Sequence, residues 1–206
     1  MERLEKILPP VFSAGVDEVG RGALAGPVLA GAVVLDPEIP ILGLKDSKKC
    51  SPRKREMLAS EIKESALAWG IGSASSIEID SLNILRASHL AMQRAVAAMS
   101  FIPVCIYVDG HLVPEFDVPA FSVIKGDDRV DVISAGAIIA KVERDRIMSE
   151  LDILHPGFGW RQNKGYPTKA HLRALVQTGP VADHRMTFKP VKDNLTVGVR
   201  STKRSS

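Results

Sequence analysis

Several apolar segments of this chain are short and end in acidic residues followed by glycine. FSAGVDEV (12–19) ends with Asp17 and Glu18 just before Gly20, and PVCIYVDG (103–110) ends in Asp109 and Gly110. Apolar segments of this length that are bounded by glycine are typical of strands rather than helices. The chain is therefore predicted to form a sheet whose strand ends carry carboxylates.

The remaining segments complete an alternation of predicted strands and helices. GPVLAGAVVLD (26–36) follows the first strand so closely that an antiparallel hairpin is expected, and AWGIGSAS (68–75) and PAFSVIKGDD (119–128) are further predicted strands. Helices are predicted from the N-cap Ser51 and Pro52 to about Ala68, over the twenty residues after a capping box of Ser75 and Glu78, over 131–152, and from Thr168 to about Gln177. This alternation predicts an α/β fold with a mixed sheet.

The composition excludes several classes of protein. The 206 residues are 45% hydrophobic, which suits one large domain or a domain with an appendage and argues against global disorder. No apolar run approaches the roughly 18–20 residues that span a bilayer, and the start of the chain is too charged for a signal peptide. Cys50 and Cys105 are isolated, so neither a zinc cluster nor a disulfide scaffold is expected, and a cytoplasmic location is predicted.

The net charge of +3 conceals an asymmetry between the two ends of the chain. Residues 1–154 carry 17 Lys and Arg against 22 Asp and Glu, whereas residues 155–206 carry 10 against 2. A basic C-terminal quarter on an acidic body indicates a surface that binds a polyanion. A solvated, soluble tail is the alternative.

Carboxylates follow three of the predicted strands. Asp17 and Glu18 end the first strand, Asp109 ends the fourth, and Asp127, with Asp128 beside it, follows the fifth. Functional groups gather at strand ends in α/β sheets, and carboxylates that meet there repel one another unless a cation lies between them. Oxygen ligands suit Mg²⁺ or Mn²⁺, and two such ions about 4 Å apart support phosphodiester cleavage.

Residue types alone do not establish a metal site, for two reasons. Asp and Gly at strand ends are ordinary turn residues, and each aspartate taken singly is more simply explained that way. Neighbours in a regular strand point to opposite faces, so Asp17 and Glu18 share a site only if the backbone is distorted. Gly15, Gly20 and Gly22 make such a distortion low in energy.

Eight motifs in this order resemble bacterial ribonuclease HII, over roughly residues 14–190. They are VDEVGRGALAGPV (16–28), GLKDSKK (43–49), LNIL (82–85), YVDG (107–110), KGDDRV (125–130), AKVERD (140–145), NKGYPT (163–168) and HRMTF (184–188). The resemblance implies a ribonuclease H-like fold, with a mixed five-stranded sheet flanked by helices and a C-terminal helical extension. A single domain over 1–206 is implied, with a catalytic core at about 14–154 and a basic substrate-binding extension at about 155–206.

The implied activity is metal-dependent endonucleolytic cleavage of the RNA strand in RNA–DNA hybrids. It includes cleavage 5′ of single ribonucleotides embedded in duplex DNA, leaving a 3′-hydroxyl and a 5′-phosphate. The implied cofactors are two divalent ions, Mg²⁺ or Mn²⁺, and a monomer without membrane contact is expected. Two alternatives remain: a DNA nuclease of the same superfamily, which should lack the GRG segment and its tyrosine, and a non-catalytic hybrid-binding protein, which should lack a carboxylate.

The same resemblance assigns roles to individual residues. Asp17, Glu18, Asp109 and Asp127 are the implied catalytic metal ligands, and Asp127 rather than Asp128 is chosen by its place after Lys125 and Gly126. Gly20, Arg21 and Gly22 are implied to contact the ribose 2′-hydroxyl, and Tyr166 to stack on the sugar at the junction. The predicted phosphate contacts are Ser47, Lys48 and Lys49, and Lys164, Arg185 and the basic end of the chain extend that surface. A solvated loop is the alternative for Lys48 and Lys49 individually.

Some residues depart from the family pattern or have no role in it. Ala137 stands where many relatives have a serine, and Thr187 replaces a more usual serine, which leaves fine substrate preference open. Four histidines have no catalytic role to transfer and are interpreted as structural or surface residues: His111, His155, His171 and His184.

Overall fold

The computed structural model describes residues 7–44 and 51–195. The strands are β1 Ala14–Val19, β2 Val28–Val34, β3 Ala68–Ala74, β4 Ile106–Asp109 and β5 Ala120–Val123. The helices are α1 Pro52–Ser65, α2 Ser76–Leu82, α3 Ile84–Ala97, α4 Gly126–Arg129, α5 Asp131–Leu154, α6 Trp160–Asn163, α7 Lys169–Thr178 and α8 Lys189–Lys192. None of the helices in this described part is long and apolar enough to cross a membrane.

The five strands form one sheet in the order β3-β2-β1-β4-β5. β1 and β2 pair antiparallel, whereas β4 is parallel both to β1 and to β5. The predicted hairpin, the mixed sheet and the flanking helices, including the C-terminal helices α6 to α8, are thereby confirmed. A parallel pair needs a long connection between its strands, and β2, β3 and helices α1 to α3 lie between β1 and β4 in the sequence.

Local capping signals place the helix starts correctly but not every helix end. Ser51 accepts the Lys54 N–H, and Ser75 and Glu78 form the predicted capping box. The predicted end of α1 at Ala68 is wrong, because Ala68 begins β3, whose alternating burial shows one face packed against the core. The helix predicted after Ser75 is divided in two by Asn83, which has a φ of 71°.

The chain divides into two compact units. The first holds the chain up to Val19, Leu29–Ser73 and Ser88–Glu143, and the second holds Gly20–Val28, Ala74–Ala87 and the chain from Arg144 onward. Every residue of β2 is buried, and in the first unit Val33 packs with Leu58, Ile62, Ile138 and Ile139. The core of the second unit includes two apolar clusters, one around Phe158 and Trp160 and one around Leu24, Leu175 and Val191.

Two glycines allow helix α5 to approach the sheet closely within the first unit. A Cβ at Gly31 would lie 2.2 Å from the Gly136 carbonyl oxygen, and one at Gly15 would lie 2.1 Å from the Val132 carbonyl carbon. Gly31 is the register partner of Asp17. The absence of side chains at Gly15 and Gly31 therefore sets how near α5 lies to the acidic end of β1.

Replacing Gly31 with alanine should destabilise the protein, because the new methyl group meets backbone atoms that cannot move independently. Overpacking of this kind costs on the order of 2 kcal/mol in the free energy of unfolding. Urea denaturation of the two proteins measures the difference. Gly22→Ala is the control, since its Cβ would lie 3.8 Å from the Tyr166 ring, an ordinary contact distance. Equal unfolding free energies for Gly31→Ala and the wild type would contradict the close approach.

Candidate active site

Strand register brings two of the predicted carboxylates to neighbouring strand ends in the first unit. Val16 of β1 pairs with Val108 of β4 in parallel, so Asp17 and Asp109 are the next residues on adjacent strands. Asp109 in turn pairs with Val123 at the end of β5. Three residues beyond Val123 the chain enters α4, whose second residue is Asp127.

Backbone N–H groups orient two of these side chains. The Asp109 Oδ1 accepts the Gly126 N–H at 2.6 Å, which ties the start of α4 to the end of β4. The Asp17 Oδ1 accepts the Glu18 N–H at 2.7 Å. A Cβ at Gly126 would lie 2.5 Å from the Ile133 Cδ1, so a larger residue there would require the Ile133 side chain to shift. Asp127 is buried beside it, whereas the neighbouring Asp128 is exposed.

The electrostatics of Asp17 show how closely the carboxylates act on one another. The pKa of Asp17 is raised well above its ordinary value, first by burial and then by the negative charges of Asp109, Glu18 and Asp127. The N–H donated by Glu18 opposes this shift of the pKa but does not cancel it. Asp17 therefore experiences the charges of the three other predicted metal ligands, and a cation among them would offset both its burial and the repulsion.

A cleft of about 270 Å³ opens at this end of the sheet. Asp17, Glu18 and Asp127 all line it, so the opposite-face difficulty foreseen for neighbouring strand residues does not keep Glu18 out of the cleft. Arg55 and Lys141 line it as well, and neither was singled out from the sequence. Lys141 belongs to the AKVERD motif, so the sequence could have indicated its role in the cleft. Arg55 lies on α1 among charged residues, and nothing in the sequence distinguishes it from them.

The donor set suits a hard divalent cation, because all four predicted ligands offer carboxylate oxygens and no sulfur or imidazole. Within residues 7–44 and 51–195, no three His, Cys, Asp or Glu side chains are arranged so that they could already hold a metal ion together. Asp17 and Asp109 each direct one oxygen to a backbone N–H. Their chemistry and mutual charge fit a metal site, and their side chains are positioned by backbone contacts.

The predicted sugar-binding residues lie in the second unit, and two of them are neighbours there. The Cβ position of Gly22 is 3.8 Å from the Tyr166 ring, and the Leu24 N–H donates to the Gly165 carbonyl at 2.7 Å. Gly20 has a φ of 95°, and a Cβ there would overlap the Arg144 guanidinium. Arg21 is exposed. The GRG segment and the tyrosine loop therefore form one continuous surface.

Two buried arginines donate hydrogen bonds to the backbone of the segments that form this surface. Arg144 donates to the carbonyls of Pro27, Ala25 and Lys164, and its guanidinium carbon lies 5.6 Å from the centre of the Tyr166 ring. Arg185 donates to the carbonyls of Gly26 and Arg21 at 3.0 and 2.9 Å. Burial, and secondarily the charge of Arg144, lower the pKa of Arg185 to about 9. Arg144, in the AKVERD motif, was not assigned a role from the sequence.

The predicted phosphate contacts differ in where the structure places them. Arg185 is 0% exposed, and its Nε and Nη1 donate to loop carbonyls, so phosphate contact by this residue stays a prediction. Lys164 is half-buried, and its Nζ donates to the Asp145 carbonyl and to Ser149. Ser47, Lys48 and Lys49 lie outside the described residues.

The two departures from the family pattern have distinct surroundings. Ala137 lines the acidic cleft in the first unit. Thr187 belongs to the second unit, where its backbone N–H and hydroxyl both donate to Asp80. Among the histidines, His171 and His184 are buried and His111 is exposed, and His155 pairs with Asp183, in keeping with their interpretation as structural or surface residues.

The family model of ribonuclease HII matches residues 14–191, nearly the whole chain. The chain belongs to the ribonuclease HII family. It is 54% identical over 182 residues to the ribonuclease HII of Shewanella pealeana, covering 88% of this chain and 90% of that protein. Membership makes the chain an endoribonuclease, a hydrolase of the ribonuclease H type that acts on RNA–DNA hybrids and depends on divalent metal ions.

Solved structures agree with the fold. The ribonuclease H2 of Pyrococcus horikoshii OT3 is similar with a TM-score of 0.75 and 28% identity, covering 93% of this chain and 99% of that one. Bst-RNase HIII in complex with Mn²⁺ shares the fold with a TM-score of 0.67 and 22% identity, over 91% of this chain and 70% of its own. The predicted ribonuclease H-like fold is thereby confirmed.

Proposed function

We propose that this chain cleaves duplex DNA on the 5′ side of single embedded ribonucleotides as well as the RNA strand of hybrids, by a two-metal-ion mechanism. The observation that carries the proposal is the electrostatic coupling of Asp17 with Asp109, Glu18 and Asp127 at the ends of two adjacent strands and the start of α4. Carboxylates that interact at one end of the sheet support the binding of the divalent ions that phosphodiester hydrolysis requires.

The four carboxylates are the proposed metal ligands. Two Mg²⁺ or Mn²⁺ ions bound there would activate a water molecule and neutralise charge on the leaving oxygen. The oxygen of water bonds to phosphorus, the bond from phosphorus to the 3′ oxygen breaks, and that oxygen takes up a proton. The products are a 3′-hydroxyl on the upstream nucleotide and a 5′-phosphate on the ribonucleotide. Lys141 and Arg55, which line the cleft, place positive charge where the scissile phosphate would bind.

Sugar recognition is assigned to the GRG segment and Tyr166. A 2′-hydroxyl both donates and accepts hydrogen bonds, and backbone groups at Gly20 and Gly22 can approach a sugar closely because no side chain intervenes. The Tyr166 ring adjoins Gly22, and this proximity supports assigning it to the sugar next to the ribose. Arg185 supports this role from below by holding the Arg21 carbonyl.

Phosphate binding is assigned to Ser47, Lys48 and Lys49, with Lys164 and the basic end of the chain extending the surface. Contacts of Lys and Ser to phosphate position a duplex without reading its sequence. We further propose one functional domain over residues 1–206, with a catalytic core at about 14–154 and a basic extension at about 155–206. A cytoplasmic monomer is proposed, in keeping with a buried, free Cys105.

A cleavage assay tests the proposed function. Purified protein with Mg²⁺, and separately with Mn²⁺, is incubated with duplex DNA containing one ribonucleotide, with a continuous RNA–DNA hybrid and with an all-DNA duplex. We expect cleavage of the first substrate 5′ of the ribonucleotide, cleavage within the RNA strand of the second, and none of the third. Cleavage of the hybrid alone would leave the enzyme a hybrid nuclease and contradict the single-ribonucleotide proposal.

Removing residues 196–206 should make duplex binding less sensitive to salt. This segment carries three basic residues, Arg200, Lys203 and Arg204, and no acidic one. If they neutralise phosphates, the slope of log affinity against log salt concentration falls by roughly 0.9 per lost contact. The truncation starts after Leu195 because Val191 is fully buried and its removal would damage the core. Binding is measured with an uncleaved all-DNA duplex, and an unchanged slope would show that the segment does not contact phosphates.

A further inference from the structure

Three aromatic residues of the second unit form a hydrogen-bonded chain beneath the tyrosine loop. The Trp160 Nε1–H donates to the Nε2 of His171 at 3.0 Å, and the Nε2 of His184 lies 3.2 Å from the same atom. The Nδ1 of His171 lies 3.0 Å from the Tyr166 carbonyl oxygen. All three side chains are at most 1% exposed, so water does not compete for these contacts.

The partners determine where the protons lie. The Tyr166 carbonyl oxygen can only accept, so the Nδ1 of His171 carries a proton, and the indole of Trp160 can only donate, so the Nε2 of His171 carries none. The Val181 N–H donates to the Nδ1 of His184, which leaves the proton of His184 on Nε2, directed at His171. When both histidines are neutral, each N–H of the chain faces an acceptor, and the single lone pair of the His171 Nε2 is shared between the Trp160 and His184 N–H groups.

Burial supports the same protonation states. It lowers the pKa of His171, and together with the neighbouring His171 it lowers the pKa of His184 to about 4. At neutral pH both rings are therefore uncharged. A protonated His171 would place an N–H against two other N–H groups, which its surroundings cannot accommodate.

The Tyr166 backbone is held at two successive carbonyls. The Gly165 carbonyl accepts the Leu24 N–H at 2.7 Å, and the Tyr166 carbonyl accepts the Thr168 N–H at 2.8 Å besides the His171 ring. Gly165 has a φ of 80°, and a Cβ there would lie 2.6 Å from the Ala25 carbonyl oxygen. These contacts restrain the backbone of the tyrosine loop and thereby the position from which the Tyr166 side chain extends toward Gly22.

We propose that His171 is a positioning residue for substrate discrimination: its neutral ring, donating from Nδ1, fixes the Tyr166 carbonyl and thereby the ring that distinguishes the sugar at the ribo–deoxyribo junction. This inference rests on the proposed role of Tyr166. His171 touches no substrate and acts through the backbone that it holds. Trp160 and His184 serve to keep its proton on the nitrogen that faces the loop.

Two amide substitutions separate this role from simple packing. The side-chain amide of His171→Asn can place an N–H near the position of Nδ1 and still donate to Tyr166, whereas His171→Gln reaches the position of Nε2 and satisfies Trp160 instead. Both remove a buried ring. The readout is the ratio of kcat/KM for the single-ribonucleotide duplex to that for the continuous hybrid, measured below the melting temperature of each variant.

We expect His171→Gln to lower this ratio about 3–10-fold, the worth of one hydrogen bond, and His171→Asn to keep it within about twofold. Equal losses in the two variants, no loss in either, or a larger loss in His171→Asn would overturn the proposal. The wild-type protein offers a measurement that does not depend on a variant folding. Its His171 ring should show the neutral Nδ1–H tautomer by ¹⁵N NMR at pH 7, and the other tautomer or a charged ring would also overturn it.

The Tyr166→Ala variant distinguishes a wrong positioning role for His171 from a wrong junction role for Tyr166. If Tyr166→Ala leaves the ratio unchanged, the tyrosine is not the junction sensor and the proposal falls with that role. If Tyr166→Ala lowers the ratio and His171→Gln does not, only the positioning role is wrong. In the double variant, His171→Gln should cause no further loss of discrimination, because the ring that it positions is gone.

Discussion

Replacing Asp109 with asparagine should lower cleavage of every substrate on the order of 1,000-fold while leaving the protein folded. A neutral amide is a poor ligand for a hard divalent cation, and losing metal stabilisation of about 4 kcal/mol corresponds to that factor. The fold should survive because an asparagine Oδ1 can still accept the Gly126 N–H that joins β4 to α4. The measurement is kcat/KM at saturating Mg²⁺, with the melting temperature recorded beside it.

Asp128→Asn is the matched control, since it makes the same chemical change on an exposed neighbour of Asp127. We expect this variant to keep wild-type activity within about threefold, as for a surface substitution. Asp109→Asn activity within tenfold of the wild type would remove Asp109 from the metal site. A large loss in Asp128→Asn would instead mean that the wrong aspartate of α4 has been chosen.

Replacing Tyr166 with alanine should damage cleavage at a single ribonucleotide more than cleavage of a continuous hybrid. A 2′-hydroxyl is present at every position of an RNA strand, so an enzyme that prefers one ribonucleotide must also sense the deoxyribose that follows it. An aromatic ring packs against a sugar that lacks the hydroxyl and is obstructed by one that carries it. By analogy with base stacking on aromatic side chains, the loss is roughly 1–3 kcal/mol, or about 5–150-fold in kcat/KM.

Tyr166→Phe is the control, because it keeps the ring beside Gly22 and removes only the hydroxyl. It should retain most of the preference for the single-ribonucleotide duplex. If Tyr166→Ala loses the same factor on both substrates, the residue is not the junction sensor. If it loses nothing, the tyrosine is a loop residue packed near Arg144.

Features that depend on a few neighbouring residues were predictable from the sequence. The Ser51 N-cap and the capping box of Ser75 and Glu78 involve partners only three residues away, and the structure contains both. The β1–β2 hairpin followed from a short connection between two apolar segments. The end of α1 and the break at Asn83 did not follow, because the first depends on a strand pairing with the sheet and the second on a left-handed backbone at a non-glycine residue.

The candidate site divides in the same way. The sequence predicted that β1 and β4 end in carboxylates. The electrostatic effect of Asp109 on Asp17 could not be predicted, because it depends on the parallel register of two strands that lie about ninety positions apart in the chain. The choice of Asp127 over Asp128 came from a motif, and the structure adds that only Asp127 is buried and lines the cleft. Arg185 was predicted to extend the phosphate-binding surface, yet its guanidinium is buried against loop carbonyls.

The sequence by itself determined the α/β class, the acidic strand ends, the basic C-terminal quarter and, through its ordered motifs, the family. These depend on residue type and spacing along the chain. Only the tertiary structure shows that the carboxylates lie near one another and that the buried arginines donate to backbone carbonyls. It alone also shows that a histidine ring contacts the carbonyl of Tyr166 in the tyrosine loop. Hydrogen bonds and charge coupling act over a few ångströms of space, and the hydrogen bonds from His171 to Tyr166 and from Arg185 to Arg21 join residues that lie 5 and 164 positions apart in the chain.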